Sequence, residues 1–222
     1  MKIRQSTVAS WIVLPAALTG LCSAQNPTPA PPPAPVGVLQ TSSQGTITAT
    51  HAGSTTPIAL DPGDTVGIND TIETGPGSKA SILFNDNTEF TLAEKTKLKI
   101  DDYVYDPNGT SNKAHYSFLQ GVIQYVGGLL DKKDPVNIDT AYGSVGIRGT
   151  EFVAKSDGTP NNLEIDLISG AIALTPTGKS AGATTSAPVQ IKVSASGLQV
   201  LPLTQDQYNS ILAEMTPAVP TN

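Results

Sequence analysis

The sequence predicts an all-β fold, and three observations carry that expectation. From about residue 45 to 200, Val, Ile and Leu come in short runs that often alternate with polar residues, the two-residue period of a half-buried strand. Twenty glycines and eighteen prolines, together with Asn and Asp, break those runs at turn-like intervals. From residue 45 to 106, no stretch of ten or more residues repeats its apolar positions at helical spacing. The expected architecture is many short strands in two packed sheets or a flattened, solenoid-like roll, finished by one C-terminal amphipathic helix. At 222 residues, one domain with tails is long enough to bury a core.

Residues 1–24 read as a signal peptide. Lys2 and Arg4 form a positive start, an apolar stretch runs from Val8 to Leu21, and Cys-Ser-Ala follows, which places cleavage between Ala24 and Gln25. The stretch is interrupted by Pro15 and falls short of the ~20 apolar residues that a membrane-spanning helix needs. Lipid attachment at Cys22 is the alternative, though Leu21 is bulky for the position before an acylated cysteine. The expected location is therefore the periplasm or the extracellular space, with no transmembrane segment in the mature chain. Cleavage leaves eleven Lys and Arg against nineteen Asp and Glu, and removes Trp11 and Cys22. Disulfide and thiol chemistry are excluded from such a chain, and its acidity argues against nucleic acid or an anionic membrane as partner.

Residues 25–44 open with a Pro/Ala run and read as an extended linker. A β domain is expected over 45–175. Within it, GTITATHAG alternates in polarity, and Asp61-Pro62-Gly63-Asp64 marks a turn between two apolar runs. Strands are expected at Thr71–Thr74, Ala80–Phe84, Glu89–Leu92 and Leu98–Asp101, with Asn85-Asp86-Asn87 as a hairpin turn that tolerates positive φ. Further on, Val136–Thr140 and Thr150–Ala154 are β-rich runs joined by a small-residue segment with glycines at 143, 146 and 149. Three places share the pattern polar-Gly-x-Ile: Gln44-Gly45-Thr46-Ile47, Gln120-Gly121-Val122-Ile123 and Ser169-Gly170-Ala171-Ile172. Their spacing is unequal, so they suggest a recurring turn-to-strand corner rather than a strict repeat. Residues 176–203 read as a loop with one or two more strands. Residues 204–215 read as the helix, with Thr204 and Gln207 forming a capping box and Tyr208, Ile211, Leu212 and Met215 an apolar stripe. Residues 216–222 are a tail.

Taken together, LDPGDTVGINDTIETGPGSKASILFNDNTEFTLAEKTKLKIDDYVYDP, FLQGVIQYVGGLLDKKDPVNIDT and GSVGIRGTEFVA resemble the FecR domain family. The matching positions include Gly63, Asp64, Asp70, Thr74, Gly75, Asp86, Gly121, Thr140, Gly146, Ile147, Arg148, Gly149, Thr150 and Phe152, over about residues 45–175. The resemblance implies an extracytoplasmic all-β sensing or interaction module rather than a catalyst. It departs from the family's founding layout, which joins a cytoplasmic anti-sigma segment and a membrane helix to the FecR portion.

Tests for chemistry yield little. His51 and His115 have no metal-ligand spacing around them, and no nucleophile elbow is present. Asp101, Asp102 and Asp106 lack the ligand pattern of a calcium loop and read as a solvated turn. Gly146–Gly149 spells the GxxG of an RNA-binding KH loop, but β-rich runs flank it. No catalytic residue, cofactor or metal is expected. Arg148 reads as an internal strut bonded to backbone carbonyls and to Asp139 or Asp166, the other reading being recognition of an anion. Three functions follow: an exported, non-catalytic FecR-type module acting through an envelope protein or polymer, a structural envelope protein, or an extracellular hydrolase. The first is favoured.

Overall fold

A computed structural model describes residues 34–42, 45–177 and 182–215. The expected signal segment, with Cys22, Ala24 and Gln25, lies outside the described residues, as does the 216–222 tail. The strands are β1 (Pro35–Ser42), β2 (Ile47–Thr50), β3 (Ile58–Ala59), β4 (Thr65–Gly67), β5 (Thr71–Thr74), β6 (Ala80–Phe84), β7 (Glu89–Leu92) and β8 (Lys97–Val104). They continue with β9 (Lys113–Val126), β10 (Val136–Asp139), β11 (Gly143–Ser156), β12 (Leu163–Pro176), β13 (Ala183–Ser186), β14 (Val189–Ser194) and β15 (Gly197–Pro202). The helix α1 (Gln205–Met215) closes the order. The described residues are all-β with one C-terminal helix.

Three 14-residue strands organise everything else, and each serves two sheets. The first half of β9 pairs with β8 and, in parallel, with β10, while its second half pairs with β7 and β11. β11 and β12 divide in the same way, so that one layer runs β3-β2-β5-β8-β9-β10-β11-β12-β13 and the other β15-β14-β12-β11-β9-β7-β6-β1-β4. The two layers face each other across one core. Phe84 and Phe90 of the second layer meet Tyr103 and Tyr116 of the first at ring-centroid distances of 4.8–5.5 Å.

A strand that changes layers must still point its apolar side inward. In β9 the buried positions are Ala114, Tyr116 and Phe118, then Ile123 and Tyr125. In β12 the buried aliphatic positions are Leu163, Ile165 and Leu167, then Ile172 and Leu174. The alternation switches between even and odd positions midway, and a residue out of step is needed there. Gly121 (φ 102°) and Gly170 (φ 81°) occupy those corners, and Gly149 (φ 58°) the one in β11. At Gly170 a side chain is also impossible sterically, since a Cβ would lie 2.2 Å from the Gly149 carbonyl oxygen. The shared Gly-x-Ile pattern at 121 and 170 is thus a mid-strand corner followed by the first core residue of the new layer.

Four expectations are corrected. β1 lies inside 25–44, the expected linker; the Pro/Ala run ends at Pro35, which as the first strand residue costs no ladder bond, and Val36 and Leu39 then bury. The glycine-rich segment 143–149 is strand rather than a connection, because β10 and β12 pair with it on both sides. Asp101 and Asp102 lie on β8, not in a turn, each beside a lysine: Lys99 for the first and Lys113 for the second. A bulge between Ile100 and Asp102 accompanies this. In α1 the capping box forms, with Thr204 N–H donating to Gln207 Oε1 at 2.9 Å and Gln207 N–H to Thr204 Oγ1 at 3.3 Å. Only Ile211 and Met215 bury, however, against Val153, while Leu212 stays 37% exposed.

Candidate functional site

The connection from β9 to β10, GGLLDKKDP, carries the densest set of unusual contacts in the described residues. Its approach to the core is governed by a buried turn. Asp86 sits in the β6–β7 hairpin, where Asn87 takes φ 66°, and its side chain turns inward. Asp86 Oδ1 accepts from Thr88 N–H (3.2 Å) and from the Tyr103 hydroxyl (2.9 Å), and Oδ2 accepts from the Thr88 hydroxyl (2.7 Å). Oδ2 also accepts from Leu130 N–H at 3.2 Å, and the Asp86 carbonyl accepts from Leu129 N–H at 2.8 Å. Gly128 N–H donates to Thr88 Oγ1 at 3.2 Å. The 127–135 connection is therefore tied down along its first half. Glycine is required at 128, where a Cβ would lie 2.4 Å from Asp86 O and Thr88 N.

A second aspartate ties the same connection to the β11 corner. Asp131 Oδ2 accepts from Thr150 N–H at 3.0 Å, the Asp131 carbonyl from Gly149 N–H at 3.1 Å, and Thr150 O from Gly127 N–H at 2.9 Å. Asp131 is 1% exposed. Burial pushes its carboxyl above the ordinary aspartate range, and the nearby Asp86 charge adds to this; the Thr150 N–H bond and Lys132 pull the other way. Asp131 Oδ1, Tyr125 Oη and Thr150 Oγ1 are buried without a well-formed hydrogen bond among the described residues. Burial, and next to it Asp131, drives the Tyr125 hydroxyl far above its usual range, so it stays neutral.

Outside this knot lies a cavity of about 270 Å³ lined by Lys132, Lys133, Asp134, Pro135, Ile147 and Arg148, with Asp131 at its inner side. Alternation along β11 places Ile147 in the core and Arg148 outward. Arg148 is exposed, and its side chain makes no hydrogen bond or ion pair with the described residues. The strut expected from the sequence is corrected: Asp139 lies 2.9 Å from His115 Nε2, and Asp166 accepts from Gln190 Nε2 at 2.6 Å. The two acids proposed as partners are occupied elsewhere, and the corner at Gly149 turns the strand so that Arg148 faces solvent.

The other positions that carried the resemblance hold the fold. Gly63 (φ 100°) and Asp64 close the turn before β4, with Asp61 N–H on Asp64 Oδ2 at 2.8 Å. Buried Asp70 accepts from Gly67 N–H at 2.8 Å and lies 2.9 Å from His51 Nδ1. Thr74 bridges to Ala93 O and Thr96 N–H, and Gly75 N–H donates to Thr46 O. Thr140 closes the turn at Gly143. Gly121 and Gly149 are corners, Gly146 and Ile147 lie in the β10–β11 ladder, Thr150 is in the knot, and Phe152 stacks on Tyr125 at 5.3 Å. Asp106 caps its own turn through Asn108 N–H. Sequence reading missed Asp131, Lys132 and Lys133; the run DKKDP between two strands, in a chain with few cations, was the available signal. No cluster of three or more metal-ligating side chains occurs among the described residues, and no described helix is long and apolar enough to cross a membrane.

Comparison with known proteins bears on these features together. The model of the family described as FecR protein matches residues 70–173, from buried Asp70 through the Asp86 turn and the knot into β12. Two crystal structures, each of a candidate anti-sigma factor from Parabacteroides distasonis, share the fold. Their TM-scores are 0.50 and 0.51 at 14% identity, covering 64% of this chain and 64% and 63% of theirs. The chain thus spans less than two thirds of those proteins. No curated protein matches it.

Proposed function

Since the chain carries a FecR domain over residues 70–173, we propose that it is an exported, non-catalytic sensing or interaction module that acts through protein or cell-envelope contacts. The observation that carries this is where the family match falls. It covers the bent-strand core and the Asp86–Asp131 knot, whose polar groups are used to hold backbone in place. The neighbouring fold, in candidate anti-sigma factors, supports a signalling role. A module of this kind needs a rigid scaffold that presents a fixed contact surface, and the knot fixes the 127–135 connection at the surface.

Fractionation and capture test the reading. Expressed with its own N-terminus, the chain is expected outside the cytoplasm as a species beginning at Gln25, and the purified protein is expected to retain a specific partner from envelope fractions. A chain that stays cytoplasmic at full length, or that retains nothing specific, contradicts it.

A further inference from the structure

Building on the module reading, we infer that the cavity beneath Arg148 is the docking point for an acidic peptide segment of a partner protein, with one carboxylate seated among Arg148, Lys132 and Lys133. Cations from two separate elements, the β9–β10 connection and the β11 corner, converge on one cavity. Five other described lysines each pair with an acid: Lys97 with Glu73, Lys99 with Asp101, Lys113 with Asp102, Lys155 with Glu214 and Lys192 with Glu164. Arg148, Lys132 and Lys133 are exposed and lie outside ion-pair distance of every carboxylate in the described residues. In a chain of net charge −6 they form a local positive site that an acidic partner complements.

The surroundings select a peptide carboxylate. A guanidinium presents a planar fork of N–H donors that matches a carboxylate with two parallel bonds. Asp131 and Asp134 share the cavity with the three cations; with both ionised the local charge is one positive unit, which a monoanion neutralises and a dianionic phosphate exceeds. Pro135, exposed beside the cavity, gives an apolar surface along which the methylene stem of Asp or Glu can lie. The knot holds the connection before a partner arrives, which lowers the ordering cost of binding.

The test titrates the full-length chain with acetylated, amidated octapeptides built around Leu-Asp-Glu, against matched Leu-Asn-Gln peptides and inorganic phosphate. Amide NMR shifts provide the readout. Saturable binding of the acidic peptides is expected, with shifts at Lys132, Lys133 and Gly149. It should weaken about tenfold or more in Arg148→Ala and in a Lys132→Ala/Lys133→Ala double variant, and stay unchanged in Lys192→Ala. Equal binding by Arg148→Ala, equal binding of the amide peptides, or saturation by phosphate in preference to the peptides would overturn the assignment. An envelope partner held equally by wild type and Arg148→Ala removes this site while the module reading stands. Saturable acidic-peptide binding without any envelope partner supports the site and removes the module reading instead.

Discussion

At Asp86 one carboxylate accepts hydrogen bonds from Thr88 twice, from Tyr103 and from Leu130, all within the buried interior. Asp86→Ala strands those donors in a place water does not reach, and each buried unsatisfied group costs about 1–3 kcal/mol. Urea unfolding should therefore show a loss of about 3 kcal/mol or more, and hydrogen exchange should speed up at Leu129 and Leu130. Asp131 is a different case, for its folded pKa is raised above the ordinary 3.8, mainly by burial. The folded protein then binds that proton more tightly than the unfolded chain. The associated stability is complete below about pH 4 and drains as pH climbs through the folded pKa. Asp131→Asn deletes this titration, keeps an oxygen for Thr150 N–H, and brings an amide donor to buried Tyr125 and Thr150 oxygens. Its stability should fall less than that of wild type as pH rises from about 4, leaving it at least as stable at neutral pH. A variant clearly weaker than wild type at pH 7 would show that the charged carboxylate is what the site requires.

Among the elements, the corners decide the architecture. Gly170→Ala must place a Cβ 2.2 Å from a carbonyl oxygen at φ 81°, and a loss of about 3 kcal/mol is expected by thermal unfolding. Gly53→Ala is a useful contrast, since its φ is 76° but nothing lies within 4 Å of the added carbon; only backbone strain of about 1 kcal/mol should remain. Thr204→Ala removes the helix cap and should cost about 1 kcal/mol, seen as faster amide exchange confined to α1. Much of this level was legible in the sequence. The strands at 71–74, 80–84 and 89–92 follow from alternation, and the cap from Thr204 and Gln207. The polar-Gly-x-Ile echo at 121 and 170 announced corners, though not that each lies inside one long strand. That distinction depends on which strands pair on either side, a long-range fact that local pattern does not contain. Leu212 shows the same limit: its spacing fits the apolar stripe, but of that stripe only Ile211 and Met215 are buried and Tyr208 half-buried.

For the whole molecule, scaffold and contact surface are separate. Turns, corners and the buried aspartates Asp70, Asp86 and Asp131 hold the bent strands, and nearly every position that carried the FecR resemblance has such a task. Arg148 has none. The sequence alone read it as a strut because a lone arginine among glycines implies a crowded backbone, and because Asp139 and Asp166 stood within plausible reach. Outward alternation at Arg148 and the prior engagement of both acids, with His115 and Gln190, reverse that reading. The cations of the pocket were hard to see for a related reason: Lys132 and Lys133 meet Arg148 only through the Asp131 link to the β11 corner. The most direct measurement is the thermal unfolding of Arg148→Ala. An exposed, unbonded side chain contributes within about 0.5 kcal/mol, or about 2 °C at this chain length, so the variant should melt with wild type. A fall of more than about 5 °C would mean that Arg148 braces the strands after all, and would contradict the separation of scaffold from contact surface.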